Sequence, residues 1–212
     1  MKPTPPQMPL DLFPRPGLLN QSCASRSRLY FALLPPGKIV ADAARLSSNI
    51  RNVYHLAEPA RPVEVLHVSL LMMSRLFQHM PQFMIDTALA VGDAVEAEGF
   101  GMSFDRAASV GKSGRAAIAL FPKKGGSSGV QALRRQITEA ALKRKLAAIR
   151  KETPHMTLVY SSTIVPDITL TPPFEWRAQE FALVQSFFGE TRHEYLRRWP
   201  LSAKSDNSVL LA

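Results

Sequence analysis

The 212-residue chain contains one cysteine, Cys23. A single thiol excludes an internal disulfide and a cysteine-rich metal site, and it fits a reducing compartment. No apolar run approaches the length of a transmembrane helix. The first residues lack the uninterrupted apolar core of a secretory signal, because prolines break it throughout. Acidic residues are also scarce: 17 Asp+Glu stand against 26 Lys+Arg, for a formal charge of +9. That imbalance favours a polyanionic partner, nucleic acid before an anionic membrane surface. Together these features lead us to expect a cytoplasmic protein without a membrane partner. Hydrophobic content of 46% and charged content of 20% are ordinary for a globular domain.

Residues 1–26 read as a disordered tail, with Pro3, Pro5, Pro6, Pro9, Pro14 and Pro16 followed by several serines. A single domain is expected over 27–202 and a frayed C-terminal tail over 203–212. Arg28 to Leu34 reads as a strand ended by Pro35-Pro36-Gly37. Ile39, Ala43, Leu46, Ile50 and Val53 then follow a helical period, and Met84, Ala88, Val91 and Val95 follow another. Strands are expected around Phe100–Phe104 and over Ala116–Phe121. Gly111-Lys112-Ser113-Gly114-Arg115 lies between them and lacks the first glycine and following helix of a phosphate loop, so it reads as a hairpin turn. A basic helix is expected from about Gly129 to Ile149. Its Arg134, Arg135, Lys143, Arg144 and Lys145 do not share one narrow stripe. A loop from Pro166 to Pro173 precedes strand-like segments at Phe174–Phe187 and Tyr195–Leu201. Helices and strands mixed with short connections argue an α+β fold.

One pattern occurs twice. His67-Val68-Ser69 opens the apolar run through Met72, and His155-Met156-Thr157 opens the run through Tyr160. In a strand, residues i and i+2 share a face, so each run sets an imidazole beside a hydroxyl. Leu66, Val68, Leu70, Met156, Leu158 and Tyr160 are then expected to face the core. The two histidines lie 88 positions apart (155 − 67), each after a helix. Two similar lobes, each supplying one such strand to a common cleft, explain the spacing. Two facing imidazoles can act as general acid and general base near neutral pH. The reaction that most needs such a pair is displacement at phosphorus, and the Ser69 and Thr157 hydroxyls are suited to the charged phosphate oxygens. This scheme needs no metal or other cofactor. A zinc site from His67, His155 and a distant carboxylate is the competing arrangement. His55 and His79 receive no role; His193 falls in a polar turn expected at the surface or on the rim of the cleft.

These paired motifs resemble those of the 2H phosphoesterase superfamily, specifically the bacterial RNA 2',3'-cyclic phosphodiesterases also called 2'-5' RNA ligases. The flanks Arg28-Leu29-Tyr30-Phe31-Ala32-Leu33-Leu34-Pro35-Pro36, Phe104-Asp105-Arg106-Ala107, Phe174-Glu175-Trp176, Glu180 to Ser186 and Arg197 to Leu201 are similar as well. The resemblance implies a bilobal α+β fold with pseudo-twofold symmetry, antiparallel sheets flanking a central cleft and helices outside. It implies hydrolysis of an RNA terminal 2',3'-cyclic phosphate to a 2'-phosphate, with 2'-5' ligation as the reverse. His67 is then the proton donor, His155 the proton acceptor, and Ser69 and Thr157 the phosphate-holding residues. A non-catalytic RNA- or nucleotide-binding module and a phosphodiesterase for small cyclic phosphates are the alternatives. The expected partners are RNA ends or small cyclic phosphates, acted on by a monomer. Leu71-Met72-Met73-Ser74-Arg75 departs from the Leu-Gly ending common in relatives. Pro9-Leu10-Asp11-Leu12-Phe13 in the tail resembles peptides that dock on the bacterial sliding clamp, with Pro9 where those usually carry Gln.

Overall fold

The computed structural model describes residues 26–126, 128–146 and 153–203. The proline-rich tail through residue 25, with its clamp-like patch, lies outside the described residues, as do 204–212. The order is β1 (Ser27–Leu33), α1 (Gly37–Val53), a short 3-10 turn (Val63–Val65), β2 (Val68–Met72), α2 (Gln82–Asp93) and β3 (Phe100–Lys112). Then follow β4 (Arg115–Pro122), α3 (Ser128–Lys143), β5 (Met156–Ser161), β6 (Ile168–Ala178), β7 (Glu180–Phe187) and β8 (Arg192–Pro200).

The strands form two antiparallel four-stranded sheets, ordered β2-β1-β7-β8 and β5-β4-β3-β6. The unit β1-α1-β2 occupies in the first sheet the place that β4-α3-β5 holds in the second. The correspondence extends to register. In the β1–β2 ladder Ala32 pairs with Ser69 and Phe31 with Leu71, leaving Leu70 as the extra residue. In the β4–β5 ladder Ala119 pairs with Thr157 and Ile118 with Val159, leaving Leu158 as the extra residue. Both bulges fall three residues after a motif histidine, where they bend the edge strand in the same way. The sequences of the paired strands match too: Arg28-Leu29-Tyr30-Phe31-Ala32-Leu33-Leu34-Pro35 against Arg115-Ala116-Ala117-Ile118-Ala119-Leu120-Phe121-Pro122.

Alternation divides each strand between two faces. Leu29, Phe31 and Leu33 of β1 and Ile118 and Leu120 of β4 enter one large core with Ile39, Ala43 and Ile50 of α1 and Val130, Leu133 and Ile137 of α3. Each helix reaches the other half: α1 packs near β5 and β6, and α3 packs near β2 as well as near β3 of its own sheet. The opposite faces carry smaller side chains, with Tyr30, Ala32, Ala182 and Val184 on one sheet and Ala108, Ala119 and Phe121 on the other. These faces line the cleft.

Four expectations need correction. His67 and His155 precede their strands by one residue rather than lying inside them. The segment Phe174–Phe187 is two strands in different sheets, broken at Gln179, because β6 and β7 must diverge to opposite halves. The expected Pro166–Pro173 loop contains the start of β6. This is an edge strand, and Pro172 and Pro173 fall where its pairing with β3 skips between Phe104 and Arg106, so no ladder N–H is missed. The basic helix ends at Lys143, with Arg144 and Lys145 in a turn and residues 147–152 outside the described residues. The Gly111–Arg115 segment is the hairpin turn expected, with Lys112 paired to Arg115. The departure at Ser74 is absorbed by a hydrogen bond: its buried hydroxyl accepts from the Leu29 N–H at 2.8 Å and donates to the Arg75 carbonyl at 2.9 Å.

Close packing makes one glycine testable. A Cβ at Gly92 of α2 would lie 2.3–2.6 Å from the Trp199 indole. That ring cannot yield, because its N–H donates to Asp93 at 2.8 Å and its face stacks on Phe181 at 5.1 Å. Gly92→Ala should therefore lower unfolding stability by about 1–3 kcal/mol, as overpacked cores do. A urea midpoint equal to that of the parent would show that the indole moves aside.

Candidate active site

The two motif strands are the edges of their sheets, and β2 approaches β5. Each edge is covered by the other half. Arg134 of α3, only 4% exposed, donates from Nη2 to the Ser69 carbonyl at 2.9 Å. Along β5 the loop after α1 adds a short rung: Ala60 bridges Val159, and the Arg61 N–H donates to the Leu158 carbonyl at 2.7 Å. Glu58 anchors that loop, accepting from the Ser162 N–H and hydroxyl at 2.7 Å each. Those bonds, the backbone one foremost, hold its carboxyl below the usual pKa. Covering both edges removes the exposed ladders that invite aggregation, and it fixes the two histidine arms relative to each other.

The arms are built alike. Nδ1–H of His67 donates to the Val65 carbonyl and Nδ1–H of His155 to the Thr153 carbonyl, both at 2.8 Å and both two residues back. A carbonyl can only accept, so Nδ1 carries the proton in each ring and Nε2 is left for the cleft. Nε2 of His67 lies 3.1 Å from the Ser69 hydroxyl, which donates to it when the ring is neutral. His155 stacks on Phe121 with ring centroids 5.9 Å apart. Ser69 and Thr157 are half-buried and occupy matching positions opposite Ala32 and Ala119. The structure thus brings His67, Ser69, His155 and Thr157 to the facing edges of one cleft.

Three further side chains converge on His67. His193 of β8 stands edge-on to it at 5.2 Å, and Tyr30 lies 5.0 Å away. The Tyr30 hydroxyl sits 3.3–3.4 Å from the His193 ring nitrogens, one weak bond shared between them. Arg61 covers the Tyr160 ring at 5.2 Å. Tyr160 is therefore half-exposed at the cleft instead of in the core, because the bulge at Leu158 turns the following residues over. Tyr195 crosses the sheet to donate to the Glu64 carbonyl at 2.6 Å, bracing the turn that leads into His67. Each of these contacts joins elements remote in sequence. His55 and His79 are exposed and take no part.

The electrostatics are asymmetric. His67 keeps intermediate solvent contact, but protein surrounds it closely enough for burial to dominate. Burial first, then the charges of His193, Arg61 and His155, push its pKa down to about 3, against the opposing pull of the Val65 carbonyl. Burial, followed by Arg61 and Arg28, lowers His193 to about 4. Burial holds the Tyr30 phenol protonated well above its ordinary range. The cleft therefore favours neutral His67 and His193 rings beside the Arg61 cation, an arrangement that an anion would complete. Among the described residues no group of three or more His, Cys, Asp or Glu is placed to hold a metal ion. No described helix is long and apolar enough to cross a membrane.

The sequence profile of the 2'-5' RNA ligase superfamily matches residues 35–186. No curated protein matches the chain. Among solved structures, TT0787 of Thermus thermophilus is similar with a TM-score of 0.66 and 18% identity, over 84% of this chain and 99% of that one. E. coli LigT in its apo form gives 0.63 and 21%, over 84% and 98%. LigT complexed with 3'-AMP gives 0.62 and 22%, over 84% and 99%. These neighbours share the α+β fold with its two four-stranded sheets.

Proposed function

Because the chain belongs to the 2'-5' RNA ligase superfamily, whose membership supports a phosphoesterase, we propose that it hydrolyses RNA terminal 2',3'-cyclic phosphates to 2'-phosphates. The observation that carries this reading is the duplicated arm: histidine, hydroxyl two residues on, bulge one residue later, on the inner edge of each sheet. LigT's complex with 3'-AMP supports a nucleotide end as the ligand. The cyclic phosphate lies between the arms, with its non-bridging oxygens at the Ser69 and Thr157 hydroxyls. Nε2 of His155 takes a proton from water as the water oxygen bonds to phosphorus. The bond to O3' breaks, and His67 gives its Nε2 proton to that oxygen. His67 must be charged to do so. The bound phosphate supplies the opposite charge that raises its pKa and favours the protonated ring. Proton donation is thus coupled to occupancy. Attack by a 5'-hydroxyl on the same cyclic phosphate would give the 2'-5' linkage. No step requires a metal.

An oligonucleotide ending in a 2',3'-cyclic phosphate should be turned over at the same rate with and without EDTA, the 2'-phosphate product being resolved chromatographically. Loss of turnover on chelation would overturn the metal-free step. Tight binding without turnover would indicate a binding module on the same fold.

A further inference from the structure

Beside the second arm lies a cavity of about 390 Å³ that the proton transfers do not use. Arg106, Phe121, Lys123, Lys124, Gln131 and Arg134 line most of it, and Thr153 and Pro154, the residues leading into His155, close one side. Among the described residues, no acidic one is in the lining. Its volume is within the range of small-molecule pockets. Two features are fixed. The Arg106 guanidinium lies over the Phe121 ring at 4.9 Å and is ion-paired with Asp167 at 2.6 Å. Arg134 is held by its bond to the Ser69 carbonyl. Phe121 is also the ring on which His155 stacks, so one aromatic wall separates the histidine from the cations.

The pseudo-symmetry shows that this charge is not a by-product of the fold. Where the second half has Phe121-Pro122-Lys123-Lys124, the first has Leu34-Pro35-Pro36-Gly37. Phe121 faces Arg106 across the β3–β4 ladder, whereas the β1–β7 ladder of the first half ends at Leu33 opposite Phe181, next to Glu180, which is ion-paired with Arg198. Two halves with matching ladders and the same arm thus differ in the charge carried just after the central strand. Lys123 and Lys124 therefore add to the His155 side a pair of charges that Pro36 and Gly37 do not supply on the other.

We propose that this cavity is a second phosphate subsite, which takes the neighbouring phosphate of the nucleotide whose terminal phosphate lies between His67 and His155. The inference rests on the cyclic phosphodiesterase reading and narrows its substrate class. The protein acts on ends that carry two phosphates on one nucleotide, as an oligonucleotide does, in preference to a mononucleoside cyclic phosphate. Charge-assisted contacts to one more phosphate are worth about tenfold or more in affinity.

The test compares adenosine 2',3'-cyclic phosphate with its 5'-phosphorylated form. Parent kcat/KM should be at least about tenfold higher on the second. The K123E/K124E double variant should lose most of that preference, falling far more on the 5'-phosphorylated substrate than on the other. Calorimetry with adenosine 3'-monophosphate and adenosine 3',5'-bisphosphate reads the same subsite without turnover. There the parent should bind the bisphosphate about tenfold tighter, with a steeper salt dependence, and the variant should bind the two alike. Turnover of both substrates at equal kcat/KM with equal binding would overturn the subsite and leave the phosphodiesterase standing. Absence of turnover with a preference abolished by the double variant would overturn the reaction and leave the subsite standing.

Discussion

His67→Ala and His155→Ala should each lower kcat on a cyclic-phosphate end by at least about 10²-fold, the usual worth of a positioned general acid or base. The expectation follows from how each ring is held. Both donate Nδ1–H to the carbonyl two residues back, at the same 2.8 Å, so both present Nε2 to the cleft. Neither substitution threatens the fold. His155 is half-buried against Phe121, and truncating His67 removes a ring whose charging the native state resists. Thermal midpoints near that of the parent should accompany the losses and separate chemistry from misfolding. If acid and base serve one displacement, the double variant should lose far less than the product of the single losses. Near-normal turnover in either single variant would defeat the paired mechanism, whichever histidine gives the proton.

Much of this arrangement was legible in the sequence because it is local. A short apolar run with Tyr30 and Phe31, stopped by Pro35-Pro36-Gly37, marks β1, the hairpin glycines mark the β3–β4 turn, and apolar periodicity marks α1. The two His-x-Ser/Thr motifs were legible because they repeat, and the structure brings both to one cleft. A second repeat, Arg28–Pro35 against Arg115–Pro122, is plain once the ladders are aligned and would have paired the central strands from sequence alone. The surroundings of His67 were not legible. Tyr30, Arg61 and His193 reach it from three elements, and no spacing rule links residues 30, 61 and 193. Their positions depend on sheet order and on the loop that Glu58 fastens to β5. Tyr160 shows the other limit. Strict alternation sends it to the core, and the single extra residue at Leu158 reverses it, because a bulge resets the parity of every residue that follows.

The same buried cluster should make the protein lose stability in mild acid. The His67 pKa is about 3 in the folded cleft and 6.5 when exposed, so between these values the unfolded chain binds the extra proton. Stability from this group is complete above pH 6.5 and declines as the pH falls toward 3. His193, lowered to about 4, acts in the same direction, and the two are not additive because each charge repels the other. Allowing for the partial solvent contact of both rings, the urea-unfolding free energy should fall by about 1–2 kcal/mol between pH 7 and pH 5. Asp42, Glu58 and Asp93, held below their ordinary carboxyl values, contribute only at lower pH. The window from about pH 6.5 to 5 therefore isolates the imidazoles. His193→Phe keeps an aromatic ring against His67 and Tyr30 but removes one charge, and it should flatten the decline; His67→Ala should flatten it further. Inorganic phosphate at saturating concentration should restore stability at pH 5 more than at pH 7, since an anion in the cleft favours the charged rings that substrate would otherwise charge. A decline unchanged in both variants, or a phosphate effect independent of pH, would show that His67 is not the group whose protonation the folded cleft resists.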